Sequence, residues 1–325
     1  MGNGLMTEYE VVREGGAGII DLSVLRGRIR VSGSEATMFL NGLMTNDMKT
    51  LAENHWMPAV FPTVQGRLIG AVRVIRGSDP SFLIDTEATS HDAVLKTISR
   101  FTLAGDFKVF DVTAETALLT VQGQSAAEVL EKICEQGVSE LPENGVVQAK
   151  WQNFPVTIIR ASHTPVDGFD IVIEASQKAE LQQALEAGGA QSIGEDTFEI
   201  LRVEAGIARH GQDMDETSVI PETNLDPAVS YTKGCYVGQE IIVRIKHRGH
   251  VAKKLTGLRF ETDQQIEPGA VIRSLDNQEI GRVTSAVISP KLGSIGLGYI
   301  RYEYLAEGTR VVVGDGIEAI VGING

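Results

Sequence analysis

The sequence predicts an α+β protein that has two similar α+β domains and a C-terminal antiparallel β-barrel. Helix-like and strand-like segments follow one another in the same order twice within residues 1–195. From Leu255 onward the chain contains short β runs separated by glycines and shows no helical period. A chain of 325 residues is also too long for a single small core. We therefore expect several domains.

The first repeat occupies residues 1–112. Its segment 19–31 leads into a helix, because Ser32 and Glu35 have the spacing of a capping box and apolar residues follow at helical intervals. A second helix is predicted for 91–103. Strand-like runs separated by turn residues complete the unit, and they lie at 56–64, 67–76, 81–85 and 107–112.

The second repeat occupies residues 113–195 and has the same composition of elements. Helices are predicted for 125–136 and 176–187. Strands are predicted for 117–121, 146–151, 156–161, 169–174 and a short stretch near Ser192. Each repeat has the order β-α-β-β-β-α-β, which favours ferredoxin-like layers with helices on one face of a largely antiparallel sheet.

The rest of the chain divides into a connecting segment and the barrel. Residues 196–254 carry a third helix, predicted for 195–205, and a motif segment described below. The first domain can be discontinuous and recruit part of 200–250. Residues 255–325 form the predicted barrel, with strands at 256–260, 270–274, 279–288, 294–300 and 309–313.

Charge and composition exclude several classes of protein. The net charge of −14 argues against a general nucleic-acid binder or a membrane-surface protein, since both need broad positive potential. The sequence contains neither a signal peptide nor an apolar run near the ~20 residues of a membrane span. Cys134 and Cys235 are the only cysteines, which fits a reducing compartment and excludes a four-ligand structural zinc site. We expect a cytoplasmic protein without a bound metal.

The segment 231–254 differs from this acidic background. It begins with the octet KGCYVGQE at 233–240, in which Cys235 lies among glycines and Lys233 precedes it. A nearby lysine biases a thiol towards the reactive thiolate. Cations follow without a further acid, namely Arg244, Lys246, Arg248, Lys253 and Lys254. Such a run is either a solvated face or a site for one anionic ligand.

The residues alone leave several interpretations open. Cys235 could serve a Cys–His hydrolase with His210, His247 or His250 as its base. The same cysteine with His247 and His250 could form a mononuclear metal site. Arg202 lies at the edge of the apolar face of the third helix. That position suits either a snorkelling surface residue or an arginine directed into a cleft.

Several stretches together resemble one family. The octet at 233–240 is similar to the motif of YgfZ-type folate-binding proteins, which are relatives of the glycine-cleavage T-protein (aminomethyltransferase). The stretches LNGLMTND at 40–47, TVQGRL at 63–68, GFDI at 168–171 and LRVEAG at 201–206 resemble further segments of that superfamily. The resemblance covers nearly the whole chain. It implies two α+β domains and a barrel, arranged as a ring around a central cavity that holds tetrahydrofolate.

The resemblance also assigns residues to the folate site. An acidic residue on the Gly-x-Glu-Ile strand and the arginine of the Leu-Arg-x-Glu helix hold the folate in the T-protein, and these correspond to Asp170 and Arg202. Further candidates for cofactor binding are Glu204, Gln239, Glu240 and Arg248. The T-protein uses an Asp-Asp pair in aminomethyl transfer, and this chain has Gly70-Ala71 at the aligned positions. This departure leaves enzymatic activity open.

Three functional hypotheses follow from these residues. The first is a tetrahydrofolate-binding accessory protein for iron–sulfur cluster assembly or repair, which supports enzymes such as those that thiolate tRNA. In this hypothesis Cys235 and Lys233 are the functional groups, and iron–sulfur client or scaffold proteins are the partners. The second is a folate-dependent aminomethyltransferase or other one-carbon transferase. The third is a binding module without chemistry, whose basic run docks an anionic partner such as RNA or the polyglutamate tail of folate.

Overall fold

The computed structural model describes residues 3–78, 80–134, 136–247 and 249–322. An antiparallel sheet, a mixed sheet and a closed barrel account for the strands, which confirms the predicted α+β class with a C-terminal β-barrel. The elements of the two α+β units are, in chain order, α1 (Asn3–Arg13), β1 (Gly18–Asp21), β2 (Arg26–Ser32), α2 (Ala36–Leu43), β3 (His55–Pro62), β4 (Leu68–Arg76), β5 (Phe82–Glu87), α3 (Ala88–Ser99), β6 (Lys108–Asp111), β7 (Thr116–Gln122), α4 (Ala126–Ile133), β8 (Val146–Trp151), β9 (Phe154–Arg160), β10 (Gly168–Glu174), α5 (Lys178–Ala187) and β11 (Gln191–Ser192).

The two sheets are variants of one topology. The first sheet has the strand order β3-β4-β5-β2-β6, and the second has β8-β9-β10-β7-β1-β11. Strand by strand the orders correspond, except that β1 is inserted between β7 and β11 of the second sheet. β1 lies within the first sequence repeat but pairs antiparallel with β7 and parallel with β11. The first repeat therefore contributes one strand to the second sheet.

Each sheet carries its helices on one face because its strands alternate. In β4, Val72 and Val74 pack with Leu40 of α2 and with Val94 of α3 in one core. Alternate residues of β4 face the other way. In the second sheet, Leu119 of β7 packs with helices α4 and α5 in the same manner, in the core that also holds Leu130 and Leu181. The remaining face of each sheet is thus available to form a cavity.

Two local predictions differ from the structure. The predicted capping box does not form, since Ser32 ends β2 and helix α2 begins at Ala36 without a side-chain cap. The carboxylate of Glu35 instead accepts a hydrogen bond from the backbone N–H of Asp106 at 2.8 Å. Helix α1 was not predicted, because its polar sequence has only a short apolar side, which packs Tyr9 and Val12 into a core.

The connecting segment contains two helices. Helix α6 (Glu195–Glu204) confirms the predicted third helix, and α7 (Gln239–His247) follows the octet. α7 was not predicted, because IIVRIK reads as a β-prone stretch. It begins after Gly238, which has a φ of +76°. A Cβ atom at this position would lie 2.4 Å from the carbonyl oxygen of Thr63, so only glycine fits there.

The barrel closes through the pairing of its first and last strands. Its strand order is β12-β15-β14-β13-β16-β17, and β12 also pairs with β17. The predicted strands are confirmed, and the last one was not predicted. The strands are β12 (Lys253–Phe260), β13 (Val271–Arg273), β14 (Glu279–Ser289), β15 (Gly293–Arg301), β16 (Arg310–Val313) and β17 (Ile317–Val321). Helix α6 packs against β14 and β15 and so joins the barrel to the α+β units.

Candidate functional site

A cavity of about 420 Å³ lies where both sheets meet α6 and the loop that follows it. This volume is within the range of small-molecule sites. Its walls combine apolar side chains with a few polar and charged ones. The polar and charged lining residues are Arg26, Arg73, Glu87, Thr89, Ser162, His163, Arg202, Arg209 and His210, and the apolar ones include Leu22, Trp56, Ala71, Phe198, Met214 and Leu225.

A chain of ion pairs crosses the wall formed by the first sheet. Arg73 of β4 lies opposite Asp85 of β5, and its Nε donates to Asp85 Oδ2 at 2.7 Å. Arg26 contacts the same carboxylate at 2.7 Å and also donates to Glu87 at 2.7 Å. Burial alone raises the pKa of Asp85, but Arg26 and Arg73 lower it further than burial raises it. The wall therefore presents fixed charges whose sum is near neutral.

Asp170 of β10 is fully buried behind this wall. Its carboxylate lies 2.5 Å from Nη2 of Arg73 and 2.9 Å from Nε2 of His163. Burial would raise the pKa of Asp170, but the hydrogen-bonded imidazole of His163 and the guanidinium of Arg73 bring it well below its usual range. Asp170 is not among the cavity-lining residues, whereas Arg73 and His163 are. A ligand in the cavity would meet these two side chains before it met Asp170.

Arg202 lines the cavity but is saturated with partners. Its guanidinium donates to Glu199 and to Asp213, the latter at 2.7 Å, and to Ser285 of β14 at 2.9 Å. Its side chain is only 3% exposed. Burial alone lowers the pKa of Arg202, and the carboxylates of Glu199 and Asp213 raise it overall. In this arrangement Arg202 joins α6 to the barrel.

His210 adds a buried and unpaired nitrogen to the wall. The hydroxyl of Thr89 donates its proton to the backbone carbonyl of His210 at 3.0 Å. The same hydroxyl lies 3.0 Å from Nδ1 of His210, and with its proton already donated it can only accept a hydrogen bond from Nδ1. Nδ1 therefore carries the ring proton, and Nε2 is a lone pair without a hydrogen-bond partner. Burial lowers the pKa of His210 by more than the charges of Glu87, Glu216 and Asp215 raise it. The ring is therefore neutral near pH 7.

Gly70 and Ala71, which the resemblance aligns with an acidic pair of the T-protein, differ from each other in orientation. Gly70 packs against α3, where a Cβ atom would lie 2.6 Å from a methyl group of Val94. Ala71, the next residue of β4, lines the cavity. β4 carries no carboxylate. Among the lining residues, the carboxylate is that of Glu87 of β5, whose side chain is 21% exposed. Glu87 was not predicted, because nothing in its local sequence marks it.

The octet holds its lysine and its cysteine in different environments. The ammonium of Lys233 donates to three backbone carbonyls at the end of α2, those of Asn41 and Asn46 at 2.6 Å and that of Met44 at 2.9 Å. Burial lowers the pKa of Lys233 to about 8, against the attraction of Asp47, so the amine keeps its three donors at pH 7. Cys235 is exposed. Among the described residues, none from 231–254 lines the cavity.

The other predicted site residues lie apart from the cavity. Glu204 is buried, accepts a hydrogen bond from Tyr9 at 2.7 Å and contacts Ser289 of the barrel. Gln239 and Glu240 line a separate surface groove with Tyr231 and Arg244. Arg248 lies outside the described residues, and His247 and His250 are exposed. Cys134, in contrast, is buried in the second core, and burial raises the pKa of its thiol.

Two kinds of feature are absent from the described ranges. Within 3–78, 80–134, 136–247 and 249–322, no group of three or more His, Cys, Asp or Glu side chains could hold a metal ion. In the same part of the chain, no helix has the length and apolar character needed to cross a membrane.

Comparisons with known proteins agree with this architecture. The family model of the GCVT N-terminal domain matches residues 1–233, and that of the glycine cleavage T-protein C-terminal barrel domain matches residues 253–318. An aminomethyltransferase of Listeria monocytogenes is 30% identical over 318 residues, which span 96% of this chain and 85% of the relative. A putative chloroplastic transferase of Arabidopsis thaliana is 26% identical over 310 residues, with 95% and 71% covered.

A solved structure has the same fold. The crystal structure of the glycine cleavage system aminomethyltransferase T from Bartonella henselae superposes with a TM-score of 0.89. The superposition covers 98% of this chain and 88% of that chain, at 24% sequence identity.

Proposed function

The chain belongs to the glycine cleavage T-protein family, and we propose that it is a tetrahydrofolate-dependent one-carbon transferase of the aminomethyltransferase type. The cavity of about 420 Å³ between the two sheets and α6 is the observation that carries this proposal. It combines apolar walls with a few convergent polar groups, which is the usual character of a cofactor site. Relatives named aminomethyltransferase cover nearly the whole chain, so the proposal applies to all three parts of the fold.

The residues present fit a folate. A pterin has hydrogen-bond donors and acceptors on the edge of a flat ring, and it needs both kinds of partner inside an apolar slot. Nη1 of Arg73 and Nε2 of His210 are a buried donor and a buried acceptor without partners. Trp56 and Phe198 supply flat apolar surfaces in the same cavity. The orphaned groups gain partners when a polar ring binds beside them.

The chain's own residues would bind and orient this cofactor. Tetrahydrofolate, when bound, supplies a nitrogen that accepts a one-carbon unit. Arg73 is held by Asp85 and Asp170, and its unpaired Nη1 would donate to an acceptor on the ligand. The apolar part of the wall, including Leu22 and Phe198, would exclude water from the reacting atoms. Ala71 leaves room for the ligand where the T-protein has a carboxylate.

Filling the cavity tests this proposal. We expect Ala71→Phe to weaken binding of tetrahydrofolate by at least about tenfold, because the added ring would occupy space beside β4. Isothermal titration calorimetry under reducing, anaerobic conditions measures the affinity, and circular dichroism checks the fold. The control is Ala306→Phe, the same substitution at an exposed barrel position outside the cavity. Absence of binding by the wild type, or equal binding by both variants, would exclude a folate site in this cavity.

A second candidate is the accessory role in iron–sulfur cluster maintenance that the YgfZ resemblance implies. Two observations favour it, namely the exposed thiol of Cys235 and the missing carboxylate at Ala71. In this role the folate would bind in the cavity and Cys235 would act at the surface, on an iron–sulfur client or scaffold protein. The exposed thiol suits contact with a macromolecule better than attack on a ligand in the cavity.

Genetic complementation separates the two candidates. If the accessory role holds, Cys235→Ala should abolish rescue of an iron–sulfur maintenance defect, measured as the activity of an iron–sulfur enzyme in the complemented strain. Cys134→Ala is the matched control, because Cys134 is buried in a core and has no access to a partner. Equal rescue by the two variants would count against a role for the exposed thiol and leave the transferase proposal as it stands.

A further inference from the structure

His163 and Asp170 form a hydrogen-bonded pair of titratable groups at the cavity. Nε2 of His163 lies 2.9 Å and 3.0 Å from the two carboxylate oxygens of Asp170. The carboxylate is fully buried, and Arg73 contacts it from the other side at 2.5 Å. His163 lines the cavity, and its side chain is 15% exposed. The buried acid is thus connected to the cavity through the imidazole.

The pair fixes which nitrogen of His163 is free. Because His163 and Arg73 keep Asp170 ionised, its oxygens can only accept hydrogen bonds. Nε2 therefore carries the proton, and in the neutral ring Nδ1 is the lone pair. Among the described residues Nδ1 of His163 has no hydrogen-bond partner. It is also not one of the fully buried side-chain atoms that lack a partner, so part of its surface is accessible. The proton acceptor of the pair is accordingly accessible, on a side chain that lines the cavity.

The surrounding structure holds the imidazole in place. The side-chain oxygen of the buried Gln122 accepts the backbone N–H of His163 at 2.8 Å, and the amide nitrogen of Gln122 donates to the carbonyl of Ala161 at 3.0 Å. A Cβ atom at Gly168 would lie 2.1 Å from Gln122, so only glycine leaves space for this clamp. Phe198 packs edge-on against the ring, with centroids 6.1 Å apart. A positioned imidazole is what proton transfer requires.

The other proton acceptors of the cavity are less available. Glu87 is held in an ion pair by Arg26 at 2.7 Å, and taking up a proton would break that pair. Burial lowers the pKa of His210, so its Nε2 can accept a hydrogen bond but holds a proton weakly. Asp170 is shielded by Arg73 and His163. Nδ1 of His163 is therefore the acceptor that a ligand can use.

We propose that His163 is the general base of the one-carbon transfer and that Asp170 is its positioning residue. This inference rests on the proposed transferase function. Nδ1 of His163 takes the proton of the acceptor nitrogen as that nitrogen bonds to the transferred carbon. The bond between this carbon and the donor amine breaks, and its electron pair leaves with the amine. His163 returns the proton to the amine, which departs as ammonia. A second nitrogen of the folate then bonds to the same carbon as the bond from that carbon to the sulfur of the S-aminomethyl thiol donor breaks. The proton of this nitrogen passes to the sulfur, which departs as a thiol, so protons and electrons balance without an oxidant or a reductant.

The tautomer is measurable without any ligand. In protein labelled with ¹⁵N-histidine, at a pH where the ring is neutral, we expect a protonated Nε2 and an unprotonated Nδ1 for His163. Asp170→Asn should raise the share of the opposite tautomer, because the amide can donate to Nε2. An Nδ1–H tautomer in the wild type would overturn the proposal directly, whether or not the protein binds folate.

The rate of transfer provides the second test. With tetrahydrofolate and an S-aminomethyl thiol as donor, we expect His163→Gln to lower the rate of ammonia release by about 10²–10⁴-fold. Its affinity for tetrahydrofolate should change by less than about threefold, and His250→Gln, at an exposed histidine outside the cavity, should release ammonia at the wild-type rate. Wild-type turnover that persists in His163→Gln would overturn the base assignment alone. A wild type that neither binds folate nor releases ammonia would instead overturn the proposed function and this role with it.

Discussion

Replacing Arg202 with alanine is expected to lower the free energy of unfolding by about 3–5 kcal/mol, the usual cost of removing one partner from a buried ion pair. Asp213 would lose its contact with the guanidinium, at 2.7 Å, and its carboxylate has no exposure with which to recover water. Ser285 of the barrel would lose a hydrogen bond at the same time. The link between α6 and the barrel would therefore weaken, whatever the ligand of the cavity is.

Chemical denaturation monitored by fluorescence and circular dichroism measures this change. The matched control is Arg310→Ala, which breaks an exposed pair with Glu318 in the barrel, with 61% of the arginine side chain exposed, and should cost less than about 1 kcal/mol. If Arg202→Ala were as stable as the control but bound tetrahydrofolate poorly, the arginine would be a ligand-binding residue, as the family resemblance implies, and its ion pairs would be secondary.

The order of the elements was predictable because it depends on local periodicity. Alternation along β4 and the 3.6-residue period of α6 are properties of short stretches, and the sequence predicted both. Helix α7 was not predicted, since its β-branched residues favour a strand and only Ile242 among its residues is buried. Its helical start depends on Gly238 and on the distant backbone of Thr63, which no local pattern reveals.

The candidate site was only partly predictable, for a related reason. The resemblance located Asp170 and Arg202 next to the cavity, but the partners of their charges come from other elements. Arg73 and Asp213 are distant in sequence from the acid and the arginine that they contact. His163 lies in a loop without a period, and only the Asp170 contact makes it conspicuous. A sequence motif identifies the residue types of a site, whereas the contacts between residues that are distant in sequence depend on the tertiary fold.

The structure also shows how the fold accommodates Gly70 and Ala71, at the positions that the resemblance aligns with an acidic pair of the T-protein. Gly70 is fixed by its contact with α3, so a side chain there would disturb the first core. Ala71 faces the cavity, and its replacement changes the chemistry of the wall without changing the sheet. The site can therefore lack a carboxylate on β4 while the second sheet has a hydrogen-bonded pair of titratable groups, Asp170 and His163.

Replacing Lys233 with methionine is expected to lower the free energy of unfolding by about 2–4 kcal/mol. Methionine has a similar length but no donor, so three carbonyls at the end of α2 would lose their bonds to an ammonium group. Hydrogen bonds to charged groups contribute about 1.5–3 kcal/mol each. Methionine also avoids the cost of burying a charge, which offsets part of that loss. The segment that carries Cys235 would then detach more readily from the first domain.

Denaturation and thiol alkylation together identify the role of this lysine. The control is Lys246→Met in the same basic segment, where the ammonium is exposed over the ring of Tyr231 and should contribute less than about 1 kcal/mol. In the folded protein, alkylation of Cys235 should proceed at similar rates in the wild type and in Lys233→Met. A variant of unchanged stability whose Cys235 reacts more slowly would show instead that Lys233 activates the thiol. In that event the octet would be a reactive site, and not a structural clamp that presents an exposed cysteine.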